Sequence, residues 1–191
     1  MRDGVIQGAV GKELFVSSPE RAANPKPLLT GRDVVRMKIL PAARWIDYDP
    51  VRMNALETAR LGERPPGLRL RTPDVFERPK ILSRQTADRI IAACDSAGKY
   101  YYANTLHGTA PRQGTYSLHF LAAVMNSAVA DRWYRLVASE SGKPFPQVKI
   151  AILKRLPVCR ATRPEQCAVL LALRRGGQSA AEPLIERLYG L

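Results

Sequence analysis

A length of 191 residues suffices for one substantial core with a small appended unit, and 46% hydrophobic with 25% charged content excludes a disordered chain. Lys and Arg number 30 against 17 Asp and Glu, a net charge of +13 that points to a polyanionic partner, nucleic acid ahead of a membrane surface. No apolar run approaches the roughly 18 residues of a membrane-spanning helix, and Met1-Arg2-Asp3-Gly4 lacks the apolar segment of a signal peptide. Cys94, Cys159 and Cys167 show no paired Cys-x-x-Cys spacing, which fits core packing in a reducing compartment. The expected location is therefore the cytoplasm.

Residues 1–20 alternate glycine with apolar residues and predict a strand or glycine-rich loop leading to a short strand at Leu14-Phe15-Val16. Gly11-Lys12 is not a phosphate loop, because Ile6 stands where the first glycine belongs and Glu13 replaces the metal-binding hydroxyl. Residues 18–31 are turn-rich. Residues 32–40 read as extended, with Val34, Arg36 and Lys38 on one face, and Trp45-Ile46-Asp47-Tyr48 as another short extended piece. Tyr48-Asp49-Pro50-Val51 has one proline and no following aromatic, so it is a turn and not the Asp-Pro-Pro-Tyr box of amino-methyltransferases. Residues 51–62 predict an amphipathic helix stopped by Pro65-Pro66-Gly67.

Positive charge is dense from Arg60 to Arg84, where seven bases, Arg69 and Arg71 among them, face three acids. Inside this run Pro79 favours the start of a strand, and a period of two sets Lys80, Leu82 and Arg84 on one face against Ile81, Ser83 and Gln85. Ile90-Ile91-Ala92-Ala93 fits a buried strand or a helical stripe. The turn Asp95-Ser96-Ala97-Gly98 before Lys99–Thr105 favours a hairpin of 86–94 with 99–105. Of the alternating Tyr100, Tyr101 and Tyr102 at least one belongs to the core. Cations, tyrosines and Asn104 on adjacent strands are what holding phosphates and reading base edges require, with a solvated basic sheet as the plainer alternative.

Residues 117–139 carry the clearest helical stripe and predict one long helix against which the sheet packs. A proline-stiffened loop follows, with Lys143, Gln147 and Lys149 around it, then a short strand at Val148-Lys149-Ile150 and a helical turn through Leu153 and Leu156. Thr162 with Glu165 reads as a capping box opening a helix that Gly176-Gly177 end, and Ser179 with Glu182 repeats the device. His107 and His119 lie far from any Cys or carboxylate pattern that would bind zinc, and no catalytic triad or carboxylate pair stands out.

Taken together, several stretches are similar to a known family. They are Gly4…Gly8 with Leu14-Phe15-Val16; Lys26-Pro27-Leu28-Leu29-Thr30-Gly31-Arg32-Asp33-Val34 before Arg36; Pro79-Lys80-Ile81-Leu82; and the tyrosines leading to Asn104-Thr105. Met125-Asn126-Ser127, Phe145-Pro146-Gln147-Val148-Lys149-Ile150, Leu153-Lys154-Arg155-Leu156-Pro157 and the ending Ile185–Leu191 continue the series. In this order they make the chain resemble the C-terminal DNA-specificity domain of TaqI-like adenine methyltransferases and of related fused restriction–modification enzymes. Met37 departs from the family's usual aromatic after Arg36.

The resemblance implies an α+β fold: a twisted, mainly antiparallel sheet with a long packing helix and a short C-terminal helical pair. It would divide into a recognition domain at 1–160 and a helical extension at 161–191. The resemblance further implies double-stranded DNA as the partner, beside a methyltransferase or restriction catalytic subunit. In the full-length family a partner domain binds S-adenosylmethionine and methylates a flipped adenine. Neither the catalytic box nor a cofactor loop is legible here, so the chain alone is expected to be catalytically silent and to bind no cofactor. The residues expected to contact DNA are Arg36, Arg69, Arg71, Arg78, Lys80, Arg84, Tyr101, Asn104, Lys143, Gln147 and Lys149. The alternatives are one half of a split methyltransferase, or a protein-interaction module using helices 164–175 and 179–189.

Overall fold

Short runs of strand formers punctuated by prolines and turns fill the first 110 residues, and long helical stripes fill the rest. In the computed structural model, which describes residues 1–5, 14–61, 72–110, 114, 116–138 and 146–191, this division gives an α+β architecture. The strands are β1 (Arg2–Asp3), β2 (Phe15–Val16), β3 (Pro25–Leu29), β4 (Val34–Val35), β5 (Lys38–Ile39), β6 (Arg44–Asp47), β7 (Lys80–Arg84), β8 (Ala92–Asp95), β9 (Tyr101–Tyr102) and β10 (Leu106–Thr109). The helices are α1 (Pro50–Leu61), α2 (Pro73–Phe76), α3 (Leu118–Met125), α4 (Ala128–Val137), α5 (Ile150–Leu153) and α6 (Arg163–Leu188). Gly11-Lys12, Pro65-Pro66-Gly67 and Lys143-Pro144-Phe145 lie outside the described residues.

One four-stranded sheet has the order β1-β10-β7-β8, antiparallel throughout; a second, β2-β6-β3-β9, is antiparallel except for the β3–β9 pair; β4 and β5 form a two-stranded antiparallel sheet of their own. The chain passes between the sheets beside Gly4, where an added Cβ would sit 2.0 Å from the Tyr102 carbonyl oxygen. Only glycine allows that approach. There the Val5 amide donates to Tyr102 O at 2.9 Å and the Asn104 amide to Val5 O at 2.8 Å, which ties the two sheets into one core.

Both faces of β7 are covered. Leu82 packs with Leu28, Ile46, Phe76, Tyr101 and Tyr102 between the sheets, whereas Ile81 packs with Ala122, Met125, Tyr134 and Val148 beneath the helices. A third cluster joins Phe120, Ala123 and Val124 of α3 to Val169, Ala181 and Ile185 of α6. Sheet, sheet, helix pair and C-terminal helices thus stack on one another, each apolar face meeting the next.

Four expectations fail, each for a packing reason. Residues 32–40 are not one strand but the β4–β5 hairpin, turning at Arg36-Met37 with Met37 at φ 61°. Docking holds that turn: the Met37 amide donates to Ala92 O at 2.9 Å and Asn126 Nδ2 to Met37 Sδ at 3.2 Å. The 86–94 with 99–105 hairpin does not form, because β8 pairs with β7 while β9 runs beside β3. The long helix divides at Asn126-Ser127, where Ser127 caps α4 by accepting from the Ala130 amide at 3.1 Å. Finally, Val148-Lys149-Ile150 is no strand: only Gln147 bridges to Thr86, and Ile150 already opens α5.

At the C-terminus the Thr162–Glu165 capping box forms, and α6 kinks at Gly176-Gly177, with Gly177 at φ 67°. Glu182 does not cap the second half; its Oε1 accepts from the Ala128 amide at 2.6 Å and so fastens α6 to the start of α4. Among the described residues no helix is long and apolar enough to cross a membrane.

Candidate nucleic-acid interface

The basic strand that dominates the sequence is not a surface. Lys80 is 1% exposed, and its ammonium donates to Asp95 Oδ2 and to the Phe76 carbonyl. Burial lowers the Lys80 pKa from the ordinary lysine value, and the Asp95 carboxylate opposes the shift. Asp95 also accepts from the Lys99 and Tyr100 amides, at 3.0 Å each, so the pair anchors the turn after β8. A lysine so enclosed reaches no phosphate, and its expected DNA role is corrected to a structural one. Tyr101 is corrected likewise: it is 1% exposed, stacked on Phe76 at 4.4 Å between centroids, with its hydroxyl donating to Glu77 Oε1 at 2.7 Å.

The cations that do converge lie where β7 ends. Arg84 Nε donates to Val34 O at 2.6 Å, which aims the half-buried side chain toward the start of β4. Just before β4, Thr30 and Asp33 close on each other: Asp33 Oδ2 accepts from the Thr30 amide at 2.6 Å and from Thr30 Oγ1 at 2.8 Å. That capping box turns the carboxylate inward and leaves its neighbour Arg32 exposed. The Gly31 amide donates to Thr105 Oγ1 at 3.0 Å, bringing the β9–β10 turn alongside. Arg44, exposed at the first position of β6, completes the rim.

The result is an open cleft of about 440 Å³ lined by Thr30, Gly31, Arg32, Arg44, Arg84, Thr86 and Thr105. No carboxylate stands among these lining residues. Three guanidiniums with hydroxyls between them suit the oxygens of phosphate groups, to which arginine bonds in bidentate fashion. Among the described residues no group of three or more His, Cys, Asp or Glu is placed to hold a metal ion.

The other expected contacts scatter. Gln147 is exposed and bridges to Thr86, so it adjoins the rim, and Asn104 precedes Thr105 in the same turn. Arg78 is exposed but lies at the opposite end of β7, roughly 20 Å from Arg84 at the usual strand rise. Lys149 is exposed at the start of α5. Arg36 donates to Asn126 O and, at 3.2 Å, to Asp131 Oδ2, which binds the β4–β5 turn to α4. Arg69, Arg71 and Lys143 lie outside the described residues. His107 is buried, its ring nitrogens 2.8 Å from Asp3 Oδ1 and 2.7 Å from Val148 O.

Arg32 and Arg44 are not among the contacts expected from the sequence. One signal was available for Arg32: in Thr30-Gly31-Arg32-Asp33, Asp33 sits three residues after a threonine, the spacing at which a carboxylate folds back to cap and leaves the arginine free.

The cleft is thus basic, with no carboxylate in its lining, and is cut into an α+β fold. The model of the TaqI-like C-terminal specificity domain matches residues 26–158, more than half of the chain, and the chain belongs to that family. Its members serve DNA target recognition in methyltransferase systems. The match includes every residue lining the cleft. No curated protein matches the chain.

Proposed function

We propose that the chain is the target-recognition module of an adenine-N6 DNA methyltransferase or restriction–modification system, with its cleft gripping the phosphates of duplex DNA. Residues 1–160 do the recognising in this reading and residues 161–191 form a helical extension. Methyl transfer, and S-adenosylmethionine with it, belongs to another domain or chain, and the work is done in the cytoplasm. The observation that carries the proposal is the convergence of Arg32, Arg44 and Arg84 on one acid-free cleft within a specificity domain.

Titrating labelled duplexes over a salt series tests it. Each neutralised phosphate releases counterions, so the logarithm of affinity falls with the logarithm of salt by about 0.9 per contact. Three arginine contacts predict a slope of about −2.7 or steeper. Salt-independent binding, or none, overturns the proposal. With a labelled methyl donor the chain alone transfers nothing, whereas mixing it with a catalytic chain restores methylation of the recognised duplex.

A further inference from the structure

A second cleft, of about 390 Å³, opens between the turn of the β4–β5 hairpin and the kink of α6. Its lining includes Arg36 and Met37 of the turn, His119 of α3, and Leu173, Arg174 and Gln178 of α6. Gln178 Nε2 donates to Ala123 O at 3.0 Å, which holds the kink against α3 and fixes that wall.

Asp131 neutralises Arg36 at 3.2 Å, so the open cation of this cleft is Arg174. Glu182 accepts from the Ala128 amide and from Gln178 Nε2, and Glu186 pairs with Arg132 at 3.2 Å, so neither pairs with Arg174. No carboxylate is among the lining residues, and Arg174 is exposed with no ion-pair partner among the described residues. The two clefts are also close. Arg32 borders the first and Arg36 the second, and four residues of extended chain span at most about 13 Å. Lys38, paired with Val35 across the hairpin, is exposed as well. Phosphates recur every ~3.4 Å of axis along one strand, so a duplex seated on the first cleft presents several to the second.

We propose that the cleft between the β4–β5 turn and the α6 kink is a second phosphate-binding site for duplex DNA, with Arg174 touching the same duplex as Arg32, Arg44 and Arg84. The recognition surface then runs beyond residues 26–158, which the family model matches, onto the C-terminal helices. This inference rests on the DNA-binding function proposed above, and one experiment separates the two.

Binding of a fluorescently labelled duplex to the full chain is measured over a salt series for the wild type, Arg44→Ala, Arg174→Ala and Arg174→Glu, with the melting temperature of each. Arg174→Ala is expected to flatten the salt slope by about 0.9 at unchanged melting temperature, and Arg174→Glu to weaken binding further. A wild type that fails to bind in a salt-dependent way sinks the proposed function itself. If the wild type binds and Arg44→Ala flattens the slope, but both Arg174 variants superimpose on the wild type, the second site is overturned.

Discussion

Two parts of this molecule carry cations and lie a few residues apart on the same strand, yet they do opposite work. At the start of β7, Lys80 is buried with Asp95 and the Phe76 carbonyl and ties the strand to the end of β8 and to α2. At its end, Arg84 leans on a single carbonyl and opens with Arg32 and Arg44 onto solvent. What separates them is coverage. At Lys80 both faces of the sheet are packed, so the charge must be matched internally; at Arg84 the sheet runs out, and the partner for the charge has to come from outside.

If coverage decides, removing the partner of the buried lysine should do the greatest damage. Asp95→Ala leaves an ammonium with only a carbonyl for company and two backbone amides unbonded. The expected loss is about 3–5 kcal/mol of stability by urea denaturation. DNA affinity of the protein that remains folded should be unchanged. A variant as stable as the wild type would show that Lys80 escapes to solvent, and the contrast between the two ends of β7 would collapse.

A second buried device stands between the sheet and the helices. Asn126 accepts from the Ala92 amide at 3.0 Å and donates to Ala92 O at 2.8 Å and Ala122 O at 2.7 Å. Asn126→Ala leaves the buried Ala92 amide without its acceptor, while Ala92 O keeps the Met37 amide, and should cost about 1–3 kcal/mol, the penalty of one abandoned group. Because the same junction accepts from Arg36, the variant should also loosen the β4–β5 turn, visible as faster amide exchange at Met37.

The fold class was legible because it follows from local signals: strand formers broken by turns early, helical stripes and a capping box late. Pairing was not. Nothing in Tyr101-Tyr102 says that it runs parallel to Leu28-Leu29 and not back against residues 86–94, since that choice depends on which faces find cover. The stripe over 117–139 runs straight through Asn126, and the break there follows from the bonds of Asn126 to β8 together with the Ser127 cap. The site was legible as charge but not as place. A count of bases points to Lys80, which is buried against Asp95, and not to Arg44, an isolated arginine that the fold brings to the rim.

On the open side the effects should appear in binding and not in stability. Arg44→Ala and Arg84→Ala should each flatten the salt slope by about 0.9, and Arg44→Ala should shift unfolding by no more than about 0.5 kcal/mol. Arg84→Ala also frees Val34 O from its bond, so a somewhat larger shift there would sharpen the contrast within the cleft itself. Unfolding by Arg44→Ala would break it.

The smallest effect belongs to an ion pair intermediate between the two regions. Lys26 donates to Glu77 Oε1 at 2.9 Å on the outer side of Tyr101, with both side chains partly exposed. The hydrogen bond from Lys26 holds the Glu77 carboxyl below its ordinary value, and the Tyr101 hydroxyl adds to the effect. A carboxylate whose folded pKa is depressed lends stability that is fully present above the unfolded value of 4.5 and is lost as the pH falls through the depressed one. Glu77→Gln should therefore lower stability slightly at pH 7, and the difference from the wild type should shrink steadily below pH 4.5. Solvent screens the pair, so the gap at neutral pH should stay far below that for Asp95→Ala. A gap as large as the one at Asp95 would mean that this pair too is sealed, and that exposure does not rank the charges of this domain.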